Sequence, residues 1–260
     1  MKNAFLLITL AFVFQSCLGN SEKIEKLTIK QVESNLTYKI SANENVDHKS
    51  WDSLLKKYVD ENGFVDYKGF LNDREKLTNY LEYLSLNTPD SNWSVQEKLA
   101  YYINLYNAAT VELILENYPI KSIKDINNPW GKSIIKLGDE KNSLEDLEHS
   151  ILRKMNEPRI HFAINCASYS CPNLLNEAFV ASKIEEQLEN VSYSFINGNK
   201  NDITETNPKI SKIFKWFKKD FKIGGRDNLI GFINKYSSTK IDSDADIDFK
   251  DYNWSLNEKK

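Results

Sequence analysis

Cysteine and histidine are scarce in this chain, with three of each in 260 residues. So few sulfur and imidazole donors leave little from which to assemble a structural zinc cluster. A surplus of basic charge is also missing: 34 Lys and Arg face 37 Asp and Glu. A near-neutral, slightly acidic chain without a basic patch lacks the electrostatic footprint of a nucleic-acid binder. No later segment approaches the about 20 consecutive apolar residues that a membrane-spanning helix needs. Internal repeats, regular strand–helix alternation and low-complexity linkers across residues 47–258 are absent as well. What remains is a single α+β domain, mainly helical, packed on a small, mostly antiparallel sheet.

The first residues, M-K-N-A-F-L-L-I-T-L-A-F-V-F-Q-S-C, carry one lysine and then an apolar run from Ala4 to Phe14. That is the shape of a secretory signal, too short to span a bilayer well. Cys17, placed just after a small residue, resembles the cysteine of a bacterial lipobox. The resemblance implies cleavage after residue 16 and lipidation of Cys17; an ordinary cleaved signal is the alternative. The expected location is therefore the bacterial cell envelope, at the periplasmic face or the outer surface, with the lipid on Cys17 as the membrane partner. Cleavage leaves 33 basic against 37 acidic residues. Residues 17–46 are polar and read as a tether.

From Asp47 the pattern sharpens. Trp51, Leu54, Leu55, Tyr58 and Val59 recur at helical spacing, and a second helix runs from Asp73, a plausible N-cap, through Leu77, Leu81 and Leu84. Ser94-x-x-Glu97 is a capping box. The helix it opens is apolar on nearly every face up to Pro119, which predicts the central buried helix. Asn104 and Asn107 share a face of it, either bonded structurally to a neighbouring loop or orienting an imidazole or substrate. Ser133–Leu137 reads as a strand and Ser143-x-x-Asp146 as another cap. On the following helix Glu145, His149 and Arg153 form one polar stripe opposite Leu144, Leu147 and Ile151. A carboxylate one turn before His149 would raise its pKa and orient it; a solvated face is the plainer reading.

A longer amphipathic helix carries Ile184, Leu188, Val191, Tyr193 and Ile196. The aromatic cluster Ile213-Phe214-Trp216-Phe217 reads as core. Gly224-Gly225 precedes a last helix from Asn228 to Tyr236, and the alternating end I-D-F-K-D-Y-N-W-S-L-N reads as a closing strand.

The scarce thiols converge on one segment, R-I-H-F-A-I-N-C-A-S-Y-S-C-P, from Arg159 to Pro172. Ile160, Phe162 and Ile164 alternate with His161, Ala163 and Asn165, which predicts a strand ending at Cys166. Pro172 suits the first position of a helix and would make Cys171 its N-cap, where the helix dipole stabilises a thiolate. Three readings stand. Cys166 and Cys171 form a structural disulfide, which export permits; or one is a nucleophile paired with His149 or His161; or the thiols bind metal with a histidine, although C-x4-C is not a usual zinc spacing.

Five pieces in order over residues 47–256 resemble the domain-of-unknown-function 547 family of bacteria and plants. They are W-D-S-L-L-K-K-Y-V-D with G-F-V-D-Y; E-K-L-A-Y-Y-I-N-L-Y-N-A; S-L-E-D-L-E-H-S-I-L-R; the thiol segment; and D-Y-N-W-S-L-N. The resemblance implies a bacterial lipoprotein member with a single domain over 47–258. It marks Asn104, Asn107, His149, Arg153, His161, Cys166 and Cys171 as motif positions. Plant members keep the first cysteine and often lack the second, which favours Cys166. Similarity to papain-like and transglutaminase-like enzymes is looser, since here a helical histidine precedes the cysteines.

Two functions follow as expectations. The first is an envelope-anchored thiol hydrolase or acyl transferase acting on amide or thioester bonds. Cys166 or Cys171 would attack, His149 or His161 would be the base, and Asn104 or Asn107 would orient it. The second is a non-catalytic binding or assembly lipoprotein with a structural Cys166–Cys171 disulfide. Either way the ligand is a small molecule or peptide, Arg153 and Arg159 are the binding candidates, and no cofactor, metal or nucleic acid is expected.

Overall fold

The computed structural model describes residues 45–260. The expected signal segment, Cys17 and the tether up to residue 44 lie outside them. The order begins with helix α1 (Lys49–Tyr58), a single turn α2 (Tyr67–Phe70), α3 (Arg74–Leu86) and the long α4 (Val95–Asn117). A hairpin of β1 (Ile135–Leu137) and β2 (Glu140–Asn142) follows, then α5 (Leu144–Asp146) and α6 (Ile160–Ala163). Next come α7 (Ile184–Asn197), β3 (Lys209–Ile210), α8 (Lys212–Trp216) and a hairpin of β4 (Lys222–Ile223) and β5 (Arg226–Asp227). The chain closes with α9 (Leu229–Tyr236) and β6 (Asp248–Phe249). The class is α+β and mainly helical, its β structure among the described residues being three two-stranded ladders. Two are antiparallel hairpins, and β3 pairs with β6 in parallel.

Helix α4 is the axis of the core. Ser94 caps it, with Glu97 reaching back to the Ser94 amide, and an unbroken run from Leu99 to Val111 carries only one residue outside the buried class, Tyr102. Such a helix gains most of its stability from packing, at about 1.5–3 kcal/mol for each large apolar side chain removed from water. On one side Trp51 of α1 stacks on Tyr80 of α3, rings 6.0 Å apart and 9° from parallel. On the other, Phe162 of α6 stacks on Phe195 of α7 and on Phe221.

The C-terminal tail ties distant segments together. Val65 donates its amide to the Asn257 carbonyl, Leu256 to the Lys121 carbonyl, and Tyr169 to the Ser255 carbonyl. The buried Asn257 side chain donates to the Gly63 carbonyl and accepts from the Tyr67 hydroxyl. The expected closing strand is thus realised as β6 and a series of single bridges. Gly63 is required twice over: its φ is +76°, and a Cβ there would lie 2.5 Å from the Asn173 Cβ and 2.7 Å from its Cα.

Three local expectations fail. Residues 160–163 are a helical turn rather than a strand, because Pro158 and Glu157 start a turn whose carbonyls accept from Ile160, His161 and Phe162 one after another. Tertiary packing of Phe162 overrides the β-rich local composition. Pro172 opens no helix; residues 171–180 are irregular, so Cys171 has no helix dipole behind it. Asp73 precedes α3 without capping it, its carboxylate being taken by Lys57, Tyr58 and Lys76.

Candidate functional site

The helix opened by the Ser143–Asp146 capping box does not continue as an ordinary α-helix. After α5 it widens into a π turn, Leu147–Ile151, then tightens to a 3₁₀ turn, Leu152–Met155. π turns inside helices are concentrated at functional sites. This one carries Glu148 and His149 to the wall of a cavity of about 350 Å³.

The cavity gathers residues from six separate regions of the chain, the π turn among them. Cys166, Cys171 and Pro172 come from the thiol loop, His161 and Ile164 from α6 and its end. Trp216 and Phe217 come from the end of α8, Tyr252 and Trp254 from the tail, and Tyr106 from α4, with Trp130 beside them. The wall is rich in aromatic rings. Tyr252 packs against Trp216 and Trp254, with ring centroids 4.8 and 4.5 Å away. Trp216 is 47% exposed, so the aromatic cluster expected to be core divides: Phe214 is fully buried, while Trp216, Phe217 and the buried Ile213 line the cavity.

Cys166 and Cys171 are joined by a disulfide. The Cys166 sulfur also lies 3.2 Å from the Ser168 hydroxyl and 3.4 Å from that of Tyr252, and Cys171 sulfur accepts the Cys166 amide. Ala167 between them takes φ +56°, unusual for a residue with a side chain. The bend is held from inside. The Asn165 side chain accepts from the Ala167 amide and donates to the Pro172 carbonyl. Asn107 accepts from the Asn165 amide and donates to the Ala163 carbonyl. Asn104 does the same for the backbone of Phe179. Both helix asparagines therefore brace loops, and neither touches an imidazole.

The two histidines line the same cavity but have other partners. His161, whose side chain is almost wholly buried, places Nε2 2.8 Å from Asp220 Oδ2 and stacks on Phe217 at 4.0 Å. A carboxylate only accepts, so Nε2 carries the proton. Burial pulls the His161 pKa below its usual value, outweighing the pull of Asp220. Arg153 donates to both oxygens of Asp220, at 2.6 and 2.8 Å, and to His149 Nδ1 at 2.7 Å. Arginine only donates, so the neutral His149 ring holds its proton on Nε2. The His149 pKa is lowered, first by burial and then by Arg153, with Glu145 opposing them weakly. Glu145 thus pulls in the expected direction but is outweighed. Burial alone would raise the Asp220 carboxyl, but the bonds from His161 and Arg153 hold it well below the usual range.

Arg159 lies outside this cavity. It donates to Glu157, Glu185 and Glu189 and so ties α6 to α7, leaving its guanidinium engaged structurally.

Glu148 and Asp220 are the residues that sequence reasoning missed. Glu148 is 9% exposed, and its one hydrogen bond comes from the Tyr106 hydroxyl at a long 3.4 Å. Burial drives its pKa from 4.5 up to about 7, with Arg153 and Tyr106 opposing and Asp220 and Glu145 adding to the rise. A signal was available: Glu148 sits four residues after Leu144 and next to Leu147, a carboxylate on the apolar stripe. Asp220, in a K-K-D-F context, carries no such mark.

Residues 91–196 match the family model described as protein of unknown function, DUF547. That stretch supplies Tyr106, Asn107, Glu148, His149, His161 and both cysteines, while Trp216, Asp220, Tyr252 and Trp254 lie beyond it. No curated protein and no solved structure matches the chain. Among the described residues no helix is long and apolar enough to cross a membrane, and no group of three His, Cys, Asp or Glu is placed to hold a metal ion.

Proposed function

We propose that this chain is a lipid-anchored binding protein of the bacterial cell envelope, tethered through Cys17, which holds a small ligand in the aromatic cavity. Cys166–Cys171 serves it as a structural crosslink of the cavity wall. One observation carries this reading. The two sulfurs are bonded to each other, and no imidazole is hydrogen-bonded to either: His149 is held by Arg153 and His161 by Asp220. A thiol hydrolase or acyl transferase needs a free sulfur with a base in reach. The cavity instead offers a preformed apolar wall with few polar groups, the usual character of a small-molecule site.

The test uses the full-length protein without reductant. Thermal-shift screening against small molecules is expected to find ligands whose binding is lost in Trp216→Ala, a change at a half-exposed ring that spares the core. Alkylating agents are expected to leave binding intact. Turnover of a thioester or amide substrate that alkylation abolishes would overturn the reading. Incorporation of labelled palmitate, lost in Cys17→Ser, tests the anchor.

A further inference from the structure

Glu148 is an acid with no cation. Among the described residues no salt bridge reaches it, and Tyr106 gives it only the long bond noted above. Arg153, whose charge acts on Glu148, directs its hydrogen bonds to Asp220 and His149 instead. The charged and titratable groups around Glu148 are Arg153, Glu145, Asp220 and His149 from its own helix and the 220 segment, Tyr106 from α4, Tyr252 from the tail and His161 from α6. Asp220 and Arg153 form an ion pair. Ionised Glu148 and the exposed Glu145 therefore leave this corner net negative.

Sharing the cavity wall with Glu148 are aromatic rings, whose faces carry negative quadrupole density that attracts cations. Trp130, Trp216, Tyr252 and Trp254 supply four of them. A lysine already uses one such face: Lys124 Nζ sits 5.4 Å from the Trp254 ring centre. A sugar would also stack here, but its hydroxyls need several free donors and acceptors. The Tyr252 hydroxyl is bonded to Ser168, His149 Nδ1 to Arg153 and His161 Nε2 to Asp220. Glu148 is the one anion left over, with the unbonded Nε2–H of His149 beside it, too few polar groups for a sugar's several hydroxyls. One anion in a wall rich in aromatic rings suits a ligand with one positive charge and an apolar skin.

Accordingly, resting on the binding-pocket reading above, we propose that the cavity binds a free organic ammonium ion, alkylated at nitrogen, with Glu148 as its counter-ion and the aromatic wall around its methyl groups. The ligand supplies the cation that the protein withholds. Binding then ionises Glu148 and releases its proton wherever the free protein holds it.

Isothermal titration with choline and with its uncharged carbon analogue, 3,3-dimethylbutan-1-ol, tests this on the full-length protein at about pH 8.5. Choline is expected to bind about tenfold or more tightly than the alcohol, the range for a desolvated cation against aromatic faces and a carboxylate. Glu148→Gln is expected to remove that preference, Glu148→Asp to keep part of it, and Trp216→Ala to weaken both probes. Dihexanoyl phosphatidylcholine, whose glycerol and chains exceed the cavity, is expected to bind poorly. Equal binding of choline and the alcohol, or choline binding unchanged in Glu148→Gln, would overturn the cation assignment and leave the pocket reading standing. So would a neutral aromatic probe such as p-cresol binding where choline does not. Failure of all these probes would count against both, and tight lipid binding would overturn the assignment to a free cation.

Discussion

Replacing Glu148 by Gln is expected to stabilise the protein above neutral pH and to leave it unchanged in acid. Burial carries the Glu148 carboxyl from 4.5 to about 7. Ionising it in place therefore costs the folded state about 3 kcal/mol, at about 1.4 kcal/mol per pH unit. The sign follows from proton counts. Between pH 4.5 and about 7 the unfolded chain has lost this proton while the folded chain keeps it, so stability falls as pH rises through that window and levels off beyond it. Glutamine has no proton to lose, and the groups common to both proteins cancel in the difference. At about pH 4 the two should melt together; at about pH 8.5 the variant should melt higher by roughly 6–12 °C for a domain of this size. Differential scanning calorimetry at several pH values measures the gap. A gap that does not change with pH, or a variant less stable than the parent in base, would refute the reasoning that Glu148 is an unpaired buried acid.

Other perturbations read out the rest of the frame. Asn107→Ala strands the Ala163 carbonyl and the Asn165 amide in a buried place; chemical denaturation should show a loss of about 2–5 kcal/mol, and a loss within error of zero would mean the loop is held otherwise. His48 is buried against Tyr80 with its pKa lowered to about 4, so the unfolded state binds its proton first. Stability should fall by up to about 3 kcal/mol from pH 6.5 to about 4 relative to His48→Gln, and parallel pH profiles for the two proteins would contradict this. Cys166→Ser with Cys171→Ser opens a loop of sequence separation 5; the expected cost is about 2 kcal/mol, matched by adding reductant to the parent.

The long-range order of the fold was legible where local signals and packing agree. The capping boxes at Ser94 and Ser143, the all-round apolar α4 and the amphipathic α7 are read directly from spacing and appear as expected. The thiol segment was legible as a place but not as a shape. Its alternation of Ile160, Phe162 and Ile164 satisfies a strand template, yet no partner strand lies beside it, and the Pro158 turn with its buried Phe162 makes it helical. Cys166, Cys171, His149 and His161, which rarity of residue type singled out, do reach one cavity. Their chemistry was not legible, because it depends on Asp220 holding His161 across 59 residues of chain and, across 67, the Arg153 that bonds His149. The tail shows the same limit: alternation marks Tyr252 and Trp254 but says nothing of the cavity they wall.

The proposed binding function requires that the sulfurs form a wall and not a nucleophile. Alkylation of the unreduced, denatured full-length protein, followed by peptide mapping of Cys166 and Cys171, tests it most directly. No alkylated thiol is expected at either position, with ligand binding undiminished in the same preparation. A free thiol at Cys166 or Cys171 in freshly isolated protein, alkylated rapidly below neutral pH, would contradict it.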